Sequence, residues 1–236
     1  MRHDKPSWSY QMQDGRTVCL VFTSKRHGDL SINQDSETLT RRQRSIVDEQ
    51  WSYLEQVHDT GVLHIEFPGQ HRGEQGDALW TNNSEVPISI QVADCVPVAL
   101  ISSLGSLCLV HAGWKGLVRG VIDEAVDAMI QIGKRPTMAV IGPCIHPGSY
   151  AFGESEIDQV CNVFGKSVRS KTQEGCLALN LPKTVEVSLR NNGIEELVRF
   201  DECTSNAERF WSYRLRKEQE RQAVVGWIKS KEDHFE

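Results

Sequence analysis

The sequence predicts a mixed α+β fold in which helices cover layered, mixed β-sheets. Three observations predict this fold: apolar segments of strand length, apolar residues at helical spacing, and a short glycine-containing link between two strands. Strand and helix candidates do not alternate strictly, so we expect hairpins as well as helical crossovers rather than a doubly wound parallel sheet. For a chain of 236 residues we expect one domain over residues 1–236, with its core at about 17–228.

The strand candidates are short apolar segments bounded by glycine, proline or polar residues. They are 17–23, 61–67, 87–92, 96–102, 106–112, 137–142 and 222–228. The segments 96–102 and 106–112 are almost continuously apolar, which is typical of strands covered on both faces of a sheet. The link between them contains Gly105, and its length and composition predict a hairpin.

Four helices are predicted, at 39–56, 117–132, 154–164 and 182–192. In the second, Leu117, Val121, Ala125 and Met129 recur every four residues, and a glycine follows at the expected end. The fourth begins with a proline and is followed by a glycine, the usual order at helix ends. The polar, glycine-rich segment 66–80 is expected to be a long exposed loop, and loops of that length are often functional.

Composition disfavours several classes of function. The formal charge of −6 makes nucleic acid an unexpected partner, and the basic runs 40–44 and 214–217 are interpreted as solvated faces. No apolar run approaches the ~18–20 residues of a membrane span. The first residues lack the apolar core of a signal peptide, so we expect a cytoplasmic protein that does not contact a membrane. The seven cysteines are scattered, and we expect reduced, mostly buried thiols.

The residues that could carry chemistry gather at the predicted hairpin, whereas motifs for nucleotide cofactors and zinc proteases are missing. Cys95 precedes one strand and His111 ends the next. Antiparallel pairing about 103–104 would place both at the same end of the sheet, where sites are often built. Three interpretations stay open: buried structural residues, a thiolate–imidazole pair for acyl or amide chemistry, or two ligands of a metal.

Further candidates lie at the ends of neighbouring elements. His58 follows a helical stretch and precedes a strand, so it is either a solvated helix terminus or a third metal ligand. In the turn 113–119, two glycines, Lys115 and Arg119 at the start of a helix favour an anion. Asp94 either orients a ligating histidine or caps a turn.

Four strings in order, "EQVHDT", "VADCVPVAL", "CLVHAGWKGLVRGV" and "IGPCIHPGSYAFG", resemble the YfiH-type family. Its members are also called laccase-domain or polyphenol oxidoreductase proteins. The tail "ERFWSYRLRKEQERQAVVGWI" resembles the family's ending, and the resemblance covers most of residues 17–228. As an ordered set these motifs are specific, and they imply a layered α/β/β/α domain.

The resemblance also implies a metal-dependent activity. The family's ligand and catalytic positions fall on His58, Cys95 and His111, with zinc as the expected metal and copper as the alternative. The implied activity is a purine nucleoside phosphorylase acting on adenosine, inosine or methylthioadenosine with inorganic phosphate, and the family is also credited with adenosine deamination. We then expect substrate or phosphate contacts from four further residues: Lys115, Arg119, Asp94 and His146.

Other activities fit the same residues. One is an amide hydrolase acting on peptidoglycan precursors, with Cys95 as nucleophile and His111 as base; another is a copper-dependent polyphenol oxidoreductase. A structural zinc module is the non-enzymatic alternative, although closed structural sites usually have four protein ligands. The segment 23–47 departs from the family's pattern, which leaves the preferred nucleoside open. We expect a monomer, with a homodimer as the alternative.

Overall fold

The computed structural model describes residues 7–231, which form fourteen strands and six α-helices. The strands are β1 (Trp8–Gln11), β2 (Thr17–Phe22), β3 (Ser52–Glu55), β4 (Val62–His64), β5 (Glu74–Gln75), β6 (Ala78–Thr81), β7 (Ile88–Val92), β8 (Val96–Ser102), β9 (Ser106–Ala112), β10 (Met138–Ile141), β11 (Arg169–Lys171), β12 (Leu177–Leu179), β13 (Glu196–Arg199) and β14 (Gln222–Lys229). The helices are α1 (Ser36–Ile46), α2 (Trp114–Arg119), α3 (Val121–Gln131), α4 (Glu154–Phe164), α5 (Leu181–Asn191) and α6 (Tyr213–Arg216). Within this part of the chain, no helix has the length and apolar character needed to cross a bilayer.

The strands form two six-stranded sheets and one two-stranded sheet of β11 and β12. The first sheet has the order β1-β2-β14-β7-β3-β5, and the second has the order β13-β10-β8-β9-β6-β4. Both are mixed: β7 pairs antiparallel with β14 and parallel with β3, and β10 pairs antiparallel with β8 and parallel with β13. The predicted α+β class with mixed sheets is therefore confirmed.

Three apolar clusters set the order of the layers. One lies between the sheets and joins Leu20 and Ile88 of the first sheet to Leu109 of the second. Another packs α2, α3, α4 and α5 on the outer face of the second sheet, and the third packs α1 on the outer face of the first. Full burial of each large aliphatic side chain contributes about 1.5–3 kcal/mol to these contacts. The layers follow in the order α/β/β/α.

The predicted hairpin is formed by β8 and β9, and every residue of both strands is buried. Their side chains alternate between the cluster under the helices and the cluster between the sheets, which explains the continuous apolar runs. In the register His111 is opposite Pro97, and Cys95 directly precedes β8. Cys95 and His111 therefore lie at the same end of the hairpin, as predicted.

Two predicted helices are wrong in part. The helix predicted at 39–56 ends at Ile46, and β3 follows, because its alternating burial and its parallel pairing with β7 favour a strand. The helix predicted at 117–132 is interrupted by Gly120, whose φ of 94° ends α2 and starts α3 in a new direction. The predictions for 154–164 and 182–192 are confirmed by α4 and α5.

The segment 66–80 is less loop-like than predicted. It contains β5 and leads into β6, whose four residues are all buried. β6 pairs antiparallel with β9 and places Asp77, the residue before it, in the interior at 0% exposure. The end of this segment is therefore part of the second sheet and of the site beside it.

Candidate functional site

A cleft of about 530 Å³ lies where β3, β7 and the β8–β9 hairpin end. Its lining comes from segments far apart in sequence, and connections at strand ends commonly carry sites because a rigid sheet positions them. Its cationic side chains are Lys115, Arg214 and Arg221, and its large aromatic side chains are Trp114, Tyr150 and Tyr213. The cleft can therefore contact both a charged group and a planar ring.

One wall of the cleft holds His58, Cys95 and His111. The ligand atoms that these three side chains offer all lie within 4.8 Å of one another. The rings of His58 and His111 are 4.7 Å apart between centroids and tilted by 56°. The structure thus brings together the three residues singled out in the sequence, from the turn after β3, the start of β8 and the end of β9.

A buried carboxylate fixes the orientation of His111. The imidazole is 4% exposed, and its Nδ1 lies 2.7 Å from Oδ1 of Asp77. Because a carboxylate accepts a hydrogen bond, Nδ1 donates its proton to Asp77, and Nε2 is the ring nitrogen that faces the cluster. A carboxylate behind a histidine is the usual arrangement of a histidine that binds a metal.

Asp77 also shapes the turn that carries His58. Its carboxylate accepts hydrogen bonds from the backbone N–H groups of Val57, His58 and Asp59 at 3.1, 3.0 and 2.8 Å. His58 has a φ of 58°, which is uncommon for a residue with a side chain and is held here by these bonds. One buried carboxylate therefore sets the positions of two of the three cluster residues.

Gly113 supplies the space that the cluster occupies. A Cβ at this position would lie 2.6 Å from Nδ1 of His58 and 3.1 Å from Sγ of Cys95. The φ of Gly113 is −79°, so its backbone conformation is open to any residue and only the space requires glycine. The glycine at the start of the "GWKG" turn is needed by the cluster rather than by the turn.

We expect Gly113→Ala to weaken the binding of a metal ion by the cluster, with zinc as the probe, by about tenfold or more, because His58 must move away from the new methyl group. Competition with a chromophoric zinc chelator measures the affinity. Gly148→Ala is the matched control, since a Cβ at Gly148 meets its nearest neighbour at an ordinary 3.5 Å. Equal zinc affinities for the two variants would contradict this description of the site.

The surroundings of the two cluster histidines shift their pKa values in opposite directions. Burial lowers the pKa of His58 to about 4, and the neighbouring His111 acts in the same direction. Burial also opposes protonation of His111, but the neighbouring Cys95 side chain and the Asp77 carboxylate outweigh it and raise the pKa of His111 to about 9. Although burial acts to raise the pKa of Asp77, hydrogen bonds from His111 and from backbone N–H groups keep it below its usual value. Asp77 therefore stays a carboxylate that can accept the hydrogen bond from His111.

The three side chains fit a transition metal. Two imidazoles and a thiolate are donors that zinc and copper both accept, and three protein ligands leave a position for a substrate atom or water. The short separations, the oriented Nε2 of His111 and the space kept open by Gly113 agree with this chemistry. His58, Cys95 and His111 could therefore hold one metal ion.

The four other predicted residues are placed differently from one another. Lys115 lines the cleft. Arg119 lies outside it, where Nη1 donates to the carbonyl oxygen of His58 at 2.8 Å. His146 is also outside, with Nε2 3.6 Å from the exposed carboxylate of Asp201. The prediction that the anion-binding turn extends to Arg119 thus finds no support in the cleft.

Asp94 does not orient a ligating histidine, and that alternative is wrong. Its carboxylate accepts hydrogen bonds from the hydroxyls of Thr204 and Ser212 and from the backbone N–H of Arg214, at 2.6, 2.7 and 2.6 Å. Ser212 is the N-cap of α6, so Asp94 fixes the start of that helix. The orienting carboxylate belongs to Asp77 instead.

Sequence reasoning missed Asp77, Tyr150 and Arg214. Asp77 is 34 positions from His111, and no local pattern links them. The sequence of the run 214–217 predicts a solvated face, whereas in the structure Arg214 lines the cleft. The tail motif that includes "SYR" was the available signal, because it marked this segment without giving its position.

Comparison with known proteins assigns the chain to a family. The sequence model of a family described as multi-copper polyphenol oxidoreductase laccase matches residues 25–229. The chain belongs to this family. The match includes the three cluster residues and the cleft-lining Lys115 and Arg214.

Curated relatives and solved structures of this laccase-type family are similar over most of the chain. A purine nucleoside phosphorylase of Haemophilus influenzae is 28% identical over 231 residues, covering 88% of this chain and 93% of the relative. The purine nucleoside phosphorylase YfiH of Escherichia coli is 30% identical over 180 residues, covering 75% and 73%. The crystal structure of the hypothetical protein YfiH of Bacillus licheniformis superposes with a TM-score of 0.81 at 23% identity, covering 90% and 93%, which shows a shared fold.

Proposed function

We propose that the cleft is the active site of a purine nucleoside phosphorylase that cleaves adenosine, inosine or methylthioadenosine with inorganic phosphate. The observation that carries the proposal is the meeting of a His–Cys–His group, cationic side chains and aromatic rings in one cleft of about 530 Å³. A cleft of this size suits a small-molecule substrate. The names of the two phosphorylase relatives support the same reaction.

The reaction sets clear demands on the site. A phosphate oxygen forms a bond to C1′ of the ribose, and the bond between C1′ and the purine nitrogen breaks. The bonding electron pair leaves with the base, which takes up a proton. The protein must therefore bind an anion beside the sugar, hold a planar base and keep water from replacing phosphate.

The residues of the cleft can meet these demands. Trp114 and Tyr150 offer aromatic rings for contact with the base, and Lys115 offers a charged donor to phosphate. His58, Cys95 and His111 would hold the metal, for which we propose zinc, with copper as the alternative. When bound, such a metal supplies Lewis-acid polarisation of a substrate atom.

We expect Lys115→Ala to raise the KM for phosphate by about tenfold, since a hydrogen bond to a charged group is lost. Zinc content should not change, because Lys115 does not belong to the cluster of His58, Cys95 and His111. Steady-state kinetics and metal analysis of the purified variant measure the two quantities. Lys166→Ala, an exposed lysine in the turn after α4, is the control. Parallel loss of zinc and of phosphate dependence would count against the assigned role.

The proposal is tested by incubating the zinc-loaded protein with each nucleoside, with and without phosphate. Chromatography should find free base only when phosphate is present. Inosine formed from adenosine without phosphate would add deamination to the activity. No release of base from any of the three nucleosides would contradict the proposal.

A second candidate, an amide hydrolase acting on peptidoglycan precursors, is favoured by one specific contact. His111 interacts with Cys95 on one side and with Asp77 on the other, which is the order of a nucleophile, its base and an orienting carboxylate. Amide cleavage that is blocked by thiol alkylation and survives metal removal would favour this candidate over phosphorolysis.

A further inference from the structure

The wall of the cleft formed by the C-terminal part of the chain carries a cation without a carboxylate partner. The Arg214 guanidinium lies over the rings of Tyr150 and Phe152, at 4.5 and 5.6 Å from their centroids. Its Nη1 donates to the carbonyl oxygen of Ala151 at 2.9 Å. Within residues 7–231 no carboxylate forms an ion pair with it, whereas the nearby Arg216 is paired with Glu218. Arg214 thus keeps its charge and most of its donors for another group.

Contacts hold the Arg214 guanidinium on two sides. The aromatic rings hold the face of the guanidinium, and the carbonyl of Ala151 holds one edge, which leaves the remaining edge of a planar fork. Such a fork matches two oxygens of a phosphate. A guanidinium fixed in this way loses little conformational freedom when an anion binds.

The backbone of Arg214 is tied to the metal group through Asp94. The N–H of Arg214 donates to Oδ2 of Asp94 at 2.6 Å, and Asp94 directly precedes Cys95. Asp94 is 6% exposed and has a φ of 100°, a strained conformation that its three hydrogen bonds hold in place. This one residue therefore links the position of Cys95 to that of α6.

We propose that Arg214 binds the phosphate of the cleft, and that Asp94 is a positioning residue which fixes Arg214 relative to Cys95. The identity of the anion rests on the proposed function. Lys115 also lines the cleft and has no ion pair among residues 7–231, so it offers a second cation to an anion bound there. In this proposal two distant segments bind the phosphate: helix α2, which follows β9 and carries Lys115, and helix α6, which carries Arg214.

The other arginines near the cleft are engaged elsewhere. Arg119 is bonded to the carbonyl of His58 and lies 3.7 Å from the carboxylate of Asp59. Arg221 lines the cleft, but its Nη1 donates to the backbone carbonyls of Glu218 and Glu220 at 3.2 and 2.8 Å. Arg214 differs from Arg221 in two ways: its guanidinium is held against the rings of Tyr150 and Phe152, and its Nη1 donates to one backbone carbonyl rather than two.

Isothermal titration calorimetry of inorganic phosphate into the zinc-loaded protein tests this inference. We expect Arg214→Ala to raise the Kd for phosphate by at least about tenfold, with Arg214→Lys in between, because charge-assisted hydrogen bonds are lost. Arg135→Ala is the matched control. It removes an exposed guanidinium whose Nη1 also donates to one backbone carbonyl, that of Asn192, and the variant should bind phosphate like the wild type.

Asp94→Asn tests the positioning role, since the amide keeps the shape but cannot accept all three hydrogen bonds. We expect a rise in the KM for phosphate with the KM for the nucleoside and the zinc content unchanged, a split that general destabilisation would not produce. A change in both KM values alike would overturn the role of Asp94.

The outcomes separate this inference from the proposed function. Unchanged phosphate affinity and unchanged phosphate KM in Arg214→Ala, with active phosphorolysis, would overturn the inference alone. Phosphate binding that depends on Arg214 in a protein that releases no base would uphold the anion site and contradict the phosphorylase. A wild-type protein that neither binds phosphate nor releases base would overturn both.

Discussion

Replacing Cys95 with alanine is expected to lower kcat/KM for nucleoside phosphorolysis by about 10³-fold, the loss of several kcal/mol of transition-state stabilisation. Cys95 is the one thiolate donor of the metal group, and its Sγ lies with the two imidazoles inside 4.8 Å. Zinc bound per protein should fall in parallel. Steady-state kinetics and metal analysis of the same preparations measure both effects.

Cys161→Ala is the control for this substitution. Cys161 is also half-buried, but it lies on α4 and packs against the cluster under the helices. It should keep full zinc content and activity, with a small loss of stability at most. If Cys95→Ala keeps wild-type phosphorolysis, the metal group is not the reactive centre.

Replacing Asp77 with alanine is expected to lower the free energy of unfolding by about 3–5 kcal/mol, the usual cost of removing one partner from a buried charged network. Four donors lose their acceptor: the N–H groups of residues 57–59 and Nδ1 of His111. Urea unfolding followed by circular dichroism measures the loss. Even a folded fraction should bind zinc poorly, because the turn that carries His58 is no longer held.

Asp77→Asn separates the two roles of this carboxylate. The amide keeps the volume and one acceptor, so we expect a smaller loss of stability together with about 10–100-fold weaker zinc binding. Asp127→Asn, at an exposed position on α3, is the control for the change of charge. Zinc affinity of Asp77→Asn equal to that of the control would show that Asp77 does not orient a ligand.

Local patterns predicted the elements whose burial is regular. The hairpin of β8 and β9 follows from two apolar runs joined by a short link, and α4 and α5 follow from helical spacing and end signals. β3 was missed because Trp51 and Leu54, three apart, also fit a helical pattern, and pairing with β7 decides between the two. The break between α2 and α3 was not predicted, because an isolated glycine such as Gly120 is tolerated within a helical pattern.

The candidate site was predictable only where residues lie at the ends of these elements. Cys95 and His111 follow from the hairpin, and His58 needed the resemblance to a family. The roles of Asp77 and Arg214 depend on contacts between distant segments. Asp77 is 34 positions from His111, and Arg214 is 120 positions from Asp94. Only the three-dimensional fold shows that the orienting carboxylate is Asp77 and that Asp94 supports Arg214.

The most direct test of the proposed function is the identity of the sugar product. Zinc-loaded protein, inosine and phosphate should give hypoxanthine and ribose 1-phosphate in equal amounts, with chromatography measuring the base and ³¹P NMR measuring the sugar phosphate. Cys95→Ala at the same concentration should give neither product. Free ribose in place of ribose 1-phosphate, or no turnover by a fully zinc-loaded protein, would contradict the assignment of this cleft to phosphorolysis.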